Sequence, residues 1–241
     1  MIAKRFDCVI VSPLTDFSQR HQTIKGENMS KANATTSKAK QGKNAAAAKT
    51  DYQALILAAI QKRIDHADND NQRDTLQAEY KFFNDANGAA ILSKCSEIQG
   101  LNLAALVQQI AVLKTESKSD FLAVYALQKV RKALYALANN ARSSFDGYSN
   151  SIMFNLVKLQ TVNTKETRMS ICKAIEYSET EQVQALKRLH NCSESTASTQ
   201  ASSTRMMLKA LNLANVIKSK NNDAITLQDN DAARMIVTMY A

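Results

Sequence analysis

Five glycines and one proline serve a chain of 241 residues. Sheet-rich folds need many tight turns, and tight turns draw on these two residue types for their backbone angles. Their scarcity, with abundant Ala, Leu, Lys and Gln, predicts long helices and few strands. Hydrophobic residues make up 45% of the chain, enough to build a core. Trp is absent and aromatics reach only 6%, so that core must be aliphatic and Ala-rich.

The formal net charge of +9 is unevenly spread. Residues 1–50 hold nine Lys/Arg against three Asp/Glu, while the other 191 residues hold 22 against 19. A basic arm of this kind favours polyanions such as nucleic acid or an acidic membrane surface. The same composition also suits a solubilising tail. Residues 29–50 (MSKANATTSKAKQGKNAAAAKT) are low in complexity and contain no acid. They cannot bury enough apolar surface to offset their ordering entropy, so a disordered Lys/Ala-rich arm is expected, with Lys31, Lys38, Lys40 and Lys43 as phosphate contacts. Residues 1–28 differ in character and hold the only proline, Pro13. Codons for Lys25-Gly26-Glu27-Asn28 can spell AAGGAG, a bacterial ribosome-binding sequence, just ahead of the Met29 codon. The expectation is that Met29 is the true start, that 1–28 is a mis-assigned extension, and that the gene is bacterial or phage.

From Asp51 the pattern becomes helical. Tyr52, Leu55, Ile56, Ala59 and Ile60 follow the i, i+3, i+4, i+7, i+8 stripe of an amphipathic helix. The stretch 65–72 (DHADNDNQ) reads as a junction. Leu76, Tyr80 and Phe83 mark a second helix, with Asn87-Gly88 as its C-cap. A short helix over 89–98 closes at Gly100, and Leu103, Leu106, Val107, Ile110 and Leu113 mark the next. Ser119 or Asp120 should cap a long helix whose seam is Ala123, Leu127, Val130, Leu134 and Leu137. Lys129, Arg131 and Lys132 lie off that seam and read as a solvated face. The aperiodic stretch 139–150 (NNARSSFDGYSN) is the expected boundary of this 51–142 helical domain. Residues 143–163 read as a linker and connecting helix. Further helices are expected at 165–177 and 180–190.

The last fifty residues change character. A Ser/Thr run at 193–200 leads into 201–214, and then two β-branched runs flank Asn221-Asn222-Asp223, a hairpin signal over 216–227. A final helix is expected at 231–240. The segment STRMMLKALNLANVIKSK (203–220) resembles the recognition-helix-plus-wing region of the winged helix-turn-helix superfamily, over roughly residues 164–241. The resemblance implies a mainly α chain: a helical middle domain followed by a small winged-helix-like C-terminal domain with one β-hairpin. It also implies a helix that enters the major groove of duplex DNA. Ser198, Thr199, Gln200, Ser202, Ser203, Arg205 and Lys209 would supply its DNA face, Gln pairing with adenine, Arg with guanine and hydroxyls with phosphate. Lys218 and Lys220, on alternate positions of the first wing strand, would reach phosphate. The usual glycine before that strand is missing, so Asn212 or Asn215 must make the turn. Residues 165–241 are nearly neutral, with ten basic and eight acidic side chains. Many winged helices bind protein, which keeps that alternative open.

No motif of a nucleotide-binding loop, a nucleophile elbow or a zinc protease occurs. His21, His66 and His190 lack repeated ligand spacing, so no metal, cofactor or catalytic residue is expected. Cys8, Cys95, Cys172 and Cys192 are far apart and without a CxxC pair, which reads as reduced thiols in the cytoplasm of a bacterial cell or phage-infected host. No stretch reaches the roughly 20 apolar residues of a membrane span. The leading expectation is a DNA-binding protein, possible as a homo-oligomer through its helical domain. The alternative is a phage virion or assembly protein built on helical subunit contacts, and a helical enzyme is a third.

Overall fold

The computed structural model describes residues 50–163, 169–171, 175–218 and 222–241. Lys31, Lys38, Lys40, Lys43 and Lys220 lie outside these residues, as do the expected extension and arm. The described residues belong to one compact unit.

Its first half is helical. Helix α1 (Tyr52–Asp65) starts where the Asp51 carboxylate accepts the Ala54 N–H at 3.0 Å. It packs on α2 (Asp70–Asn84) and α4 (Leu103–Ala111), with α3 (Ala86–Ser96) beside α2 and α5 (Val124–Asn139). The expected seam of α5 is buried at Leu127, Val130, Leu134 and Leu137. Burying each such side chain contributes about 2 kcal/mol.

Three local expectations change here. Asn87-Gly88 does not cap α2. Asp85 both ends α2 and caps α3, accepting the Gly88 N–H at 2.7 Å. Gly88 is instead a close-packing residue, since a Cβ there would meet the Phe82 carbonyl oxygen at 2.4 Å. Neither Ser119 nor Asp120 caps α5: the cap is Ala123, and the Asp120 carboxylate is occupied by the Ser117 hydroxyl at 2.9 Å. Lys129 is buried rather than solvated, because its ammonium reaches Asp146 at 2.7 Å and Ser149 at 3.0 Å.

The second half adds two small antiparallel sheets. Helix α6 (Gly147–Gln160) leads into β1 (Thr161–Asn163), which pairs with β2 (Met169–Ile171). Of the helix expected at 165–177, the described residues, 169–171 and 175–177, are strand or coil instead. The β-branched Thr161, Val162 and Ile171 suit an extended backbone better than a helix. Among the described residues, two antiparallel pairs of neighbouring strands accompany the helices rather than one, β1–β2 and a second near the C-terminus. Strand β3 (Tyr177–Ser178) precedes α7 (Glu179–His190) and α8 (Glu194–Ala210), followed by β4 (Ala214–Ile217), β5 (Ala224–Leu227) and α9 (Asp231–Tyr240). The second sheet runs β3–β5–β4, with Tyr177 opposite Ile225 and Val216 opposite Ile225 from the other side. Asn212 makes the α8–β4 turn at φ +55°, a conformation Asn tolerates.

All four residues of β5 are buried. Buried Gln160 ties the end of α6 to this strand: its carbonyl oxygen accepts the Leu227 N–H at 2.7 Å, and its amide donates to the Ile225 carbonyl at 3.2 Å. Of residues 139–150, read above as a boundary, 140–146 form the connection between α5 and α6 and place Phe145 in the common core, while 147–150 already belong to α6. Among the described residues, no helix is long and apolar enough to cross a membrane.

One core group sets a pH dependence. Glu79 on α2 is buried, and Arg131 Nε on α5 approaches its Oε2 to 2.9 Å without hydrogen-bond alignment. Burial pushes the Glu79 carboxyl up to about 7, against the pull of Arg131 and Lys132. An unfolded Glu titrates near about 4.3. A folded-state value above the unfolded one gives stability that is full below about pH 4.3. That stability is lost as pH rises through about 7. The difference is about 4 kcal/mol. Glu79→Gln should therefore raise Tm relative to wild type at pH 8 and bring no gain at pH 4. A lower Tm of the variant at pH 8 would show that ionised Glu79 is stabilised by Arg131 instead.

Candidate nucleic-acid interface

Helix α8 carries most of the residues singled out for DNA. Ser193 caps it, its hydroxyl accepting the Thr196 N–H at 3.2 Å. The helix packs against α5, α6, α7 and β4 and is enclosed on several sides. Ala197, Ala201, Met207, Leu208 and Ala210 face the core, as aliphatic spacing requires. Ser203 and Arg205 are buried with them, which corrects their expected place on an exposed face.

The physical reason lies in their partners. The Ser203 hydroxyl donates to the Gln200 carbonyl at 3.1 Å, so it enters the core already satisfied by its own helix. Arg205 is 7% exposed. Its Nη2 donates to Glu179 Oε1 at 2.8 Å and its Nη1 to Gln182 Oε1 at 3.2 Å. Gln182, itself buried, donates to the Tyr177 carbonyl at 2.8 Å. Arg205 thus locks α8 to α7 and β3, and its guanidinium is not free to read guanine. Gln200 is half-buried and lines a cavity of about 290 Å³ with Tyr125, Lys132 and Tyr148.

The rest of the expected face stays outside. Ser198 and Ser202 are half-buried, Thr199 and Lys209 exposed. Together with Ser195 and Met206 they form one outward stripe at helical spacing. Lys218 lies just past the end of β4, and its side chain is 76% exposed while meeting Asp223 at 2.8 Å. The lysine end of this ion pair is exposed while the Asp223 side chain is only 19% exposed.

A second basic surface has no counterpart in the sequence reading. Arg142 and Lys158 lie 5.6 and 4.9 Å from the Phe154 ring centroid. Two adjoining cavities of about 390 and 370 Å³ share Asn155 and Arg188, one reaching Arg142 and the other Lys158. These three cations form no ion pair among the described residues. They are distant in sequence, and the packing of α7 on α6, with the turn at Arg142 that precedes α6, gathers them, so no periodic signal could have found them. Leu159 and Leu189 are exposed beside the same trough.

His190 ends α7, its Nε2 2.9 Å from the Ser151 hydroxyl. Buried Cys95 has its thiol pushed up to about 12, first by burial, and donates to the Leu134 carbonyl. Among the described residues, no three His, Cys, Asp or Glu side chains converge where a metal ion could sit. Comparison with protein-family models, with curated proteins and with solved structures returned no match.

The Arg205 lock predicts a structural phenotype. Arg205→Ala should lower stability by about 1–3 kcal/mol in chemical denaturation, since it strands Gln182 and a partly buried Glu179. Stability unchanged within error would place Arg205 outside the framework of the fold.

Proposed function

We propose that this chain is a DNA-binding protein of bacterial or phage origin whose C-terminal part is a winged helix. The observation that carries the reading is the strand order β3–β5–β4. Helices α7 and α8 lie between β3 and β4 in the chain, and hairpin β4–β5 follows directly. That is the sequence of elements in which a winged helix offers its third helix and wing to duplex DNA. Here the offered stripe is Ser195, Ser198, Thr199, Ser202, Met206 and Lys209, with Lys218 on the hairpin. Hydroxyls and lysines of this kind bind phosphate and fix register more than they read bases. The basic residues 29–50 add sequence-independent attraction.

A second reading, an assembly protein joined through helical contacts, is favoured by the exposed apolar side chains. Leu159, Val162, Ile175 and Leu189 are 38–54% exposed on or beside α6, β1, β3 and α7. Leu159 and Leu189 line two adjoining cavities, and exposed apolar side chains that lie together mark contact surfaces.

Binding of a 20-base-pair duplex by the full chain, followed by fluorescence anisotropy across a salt series, separates the two. Lys209→Ala should reduce the salt slope by about 1. Ser202→Glu should weaken binding about tenfold by placing a carboxylate against phosphate. Leu189→Glu should leave both quantities unchanged. If both α8 variants bind as wild type does, α8 is not the DNA face. If Leu189→Glu instead dissolves an oligomer seen in sedimentation, the assembly reading stands.

A further inference from the structure

Arg63, in the last turn of α1, is 3% exposed. Neither of its terminal nitrogens, Nη1 and Nη2, has a hydrogen-bond partner. The guanidinium carbon lies 4.8 Å above the Phe121 ring. One face of the group is therefore stacked, while the edge that carries its donors is unsatisfied. The other buried basic side chains of the described chain are treated differently: Lys129 has Asp146, and Arg205 has Glu179. A buried cation without partners is among the least favourable arrangements a protein interior can hold. Burial lowers the Arg63 pKa to about 10, which leaves the group charged at neutral pH. Nearby backbone carbonyls at the end of α1 offset only part of this cost.

The same side chain lines a cavity of about 280 Å³ between α1, the start of α2 and the loop before α5. His66, Gln72, Lys114 and Thr115 also face it. Their engagement leaves donors over. The Gln72 carbonyl oxygen accepts the Asp68 N–H at 2.9 Å, so its amide nitrogen is the atom left for a ligand. His66 Nδ1 meets the Lys62 carbonyl at 2.8 Å, which leaves Nε2. Lys114 and Thr115 are exposed at the mouth. Asp68, also exposed, is the one carboxylate on the wall.

We propose that this cavity binds a phosphate group, with Arg63 as its buried anchor and Gln72, Lys114 and Thr115 as further donors. Guanidinium edges match phosphate oxygens in pairs, and ammonium, hydroxyl and amide donors from other directions suit a tetrahedral anion better than a planar carboxylate. The volume exceeds that of the ion, so a small molecule carrying the phosphate has room, with Phe121 and Leu113 as its apolar wall. This site is separate from the α8 stripe and does not depend on the DNA reading.

The test uses the full chain at pH 7 and constant ionic strength, with inorganic phosphate, glycerol phosphate and acetate as probes. Calorimetric titration and thermal denaturation are the readouts. Phosphate should bind saturably and raise Tm, and acetate should not. Lys114→Ala should weaken phosphate binding about tenfold with Tm in phosphate-free buffer unchanged. Arg63→Met should abolish binding and raise Tm in phosphate-free buffer, because it removes a buried unpaired charge. Tighter binding of glycerol phosphate than of inorganic phosphate assigns the site to a phosphorylated small molecule, and the reverse assigns it to the free ion. The proposal is overturned if wild type shows no saturable binding, if acetate acts as phosphate does, or if Arg63→Met and Lys114→Ala bind as wild type does.

Discussion

Polar side chains on α8 can enter the core only if each one is satisfied there, and the rest of the second half is arranged around that requirement. Thr204 is fully buried, and its hydroxyl lies 2.8 Å from the Gln200 carbonyl and 3.1 Å from the Ser149 hydroxyl. Ser149 in turn meets the Lys129 ammonium, which is held by Asp146. Asp146 also caps α6 through the Ser149 N–H at 3.1 Å. Burial works to raise the Asp146 pKa, but the Lys129 ammonium and the bonds from Ser149 outweigh it and hold the carboxyl below its ordinary range. One connected set of bonds thus joins α5, α6 and α8. The set is satisfied except at the buried Asp146 Oδ2, which has no hydrogen-bond partner, and removing a member of such a network destabilises the arrangement it holds.

A second clasp joins the two halves at the other end. The Asn212 side chain, in the turn after α8, donates to the Gly100 carbonyl at 2.8 Å. Asn230 donates to the Asn212 carbonyl at 2.8 Å, and the Ala232 N–H reaches the Gln99 carbonyl at 3.1 Å. Gly100, at φ +87°, lies so close to Asn230 that a Cβ would collide with it. The halves are held together by these bonds and by the packing of α5 on α8. The outward stripe of α8, the trough between α6 and α7, and the cavity at Arg63 lie outside this framework of contacts.

The helical character, most helix positions, the Asn212 turn and the C-terminal hairpin were legible because each rests on local chemistry. Caps, apolar periodicity and β-branched runs act over a few residues. Burial of Arg205, Ser203 and Lys129 was not legible, because it depends on Glu179, Gln182 and Asp146 arriving from elsewhere in the chain. Ser and Thr are doubly ambiguous. On an exposed helix they suggest a ligand face, yet back-bonding to their own helix equally fits them for a core. The short strands β1 to β3 were hidden for a related reason: two or three residues carry too little periodicity to be told from a helix end. Arg63 was legible in part: it falls seven residues after Ile56 on the buried stripe of α1, where a charged side chain is out of place, but its lack of partners depends on what the fold brings to it.

The central claim is that residues 50–241 fold as one cooperative core organised on α8. Native-state hydrogen exchange of the full chain, measured across low denaturant concentrations, tests it most directly. Amides of α5 at Leu127–Leu137 and of α8 at Ala201–Ala210 should converge on one opening free energy and one denaturant dependence. Two separate values, with α1 to α5 opening independently of α6 to α9, would contradict it.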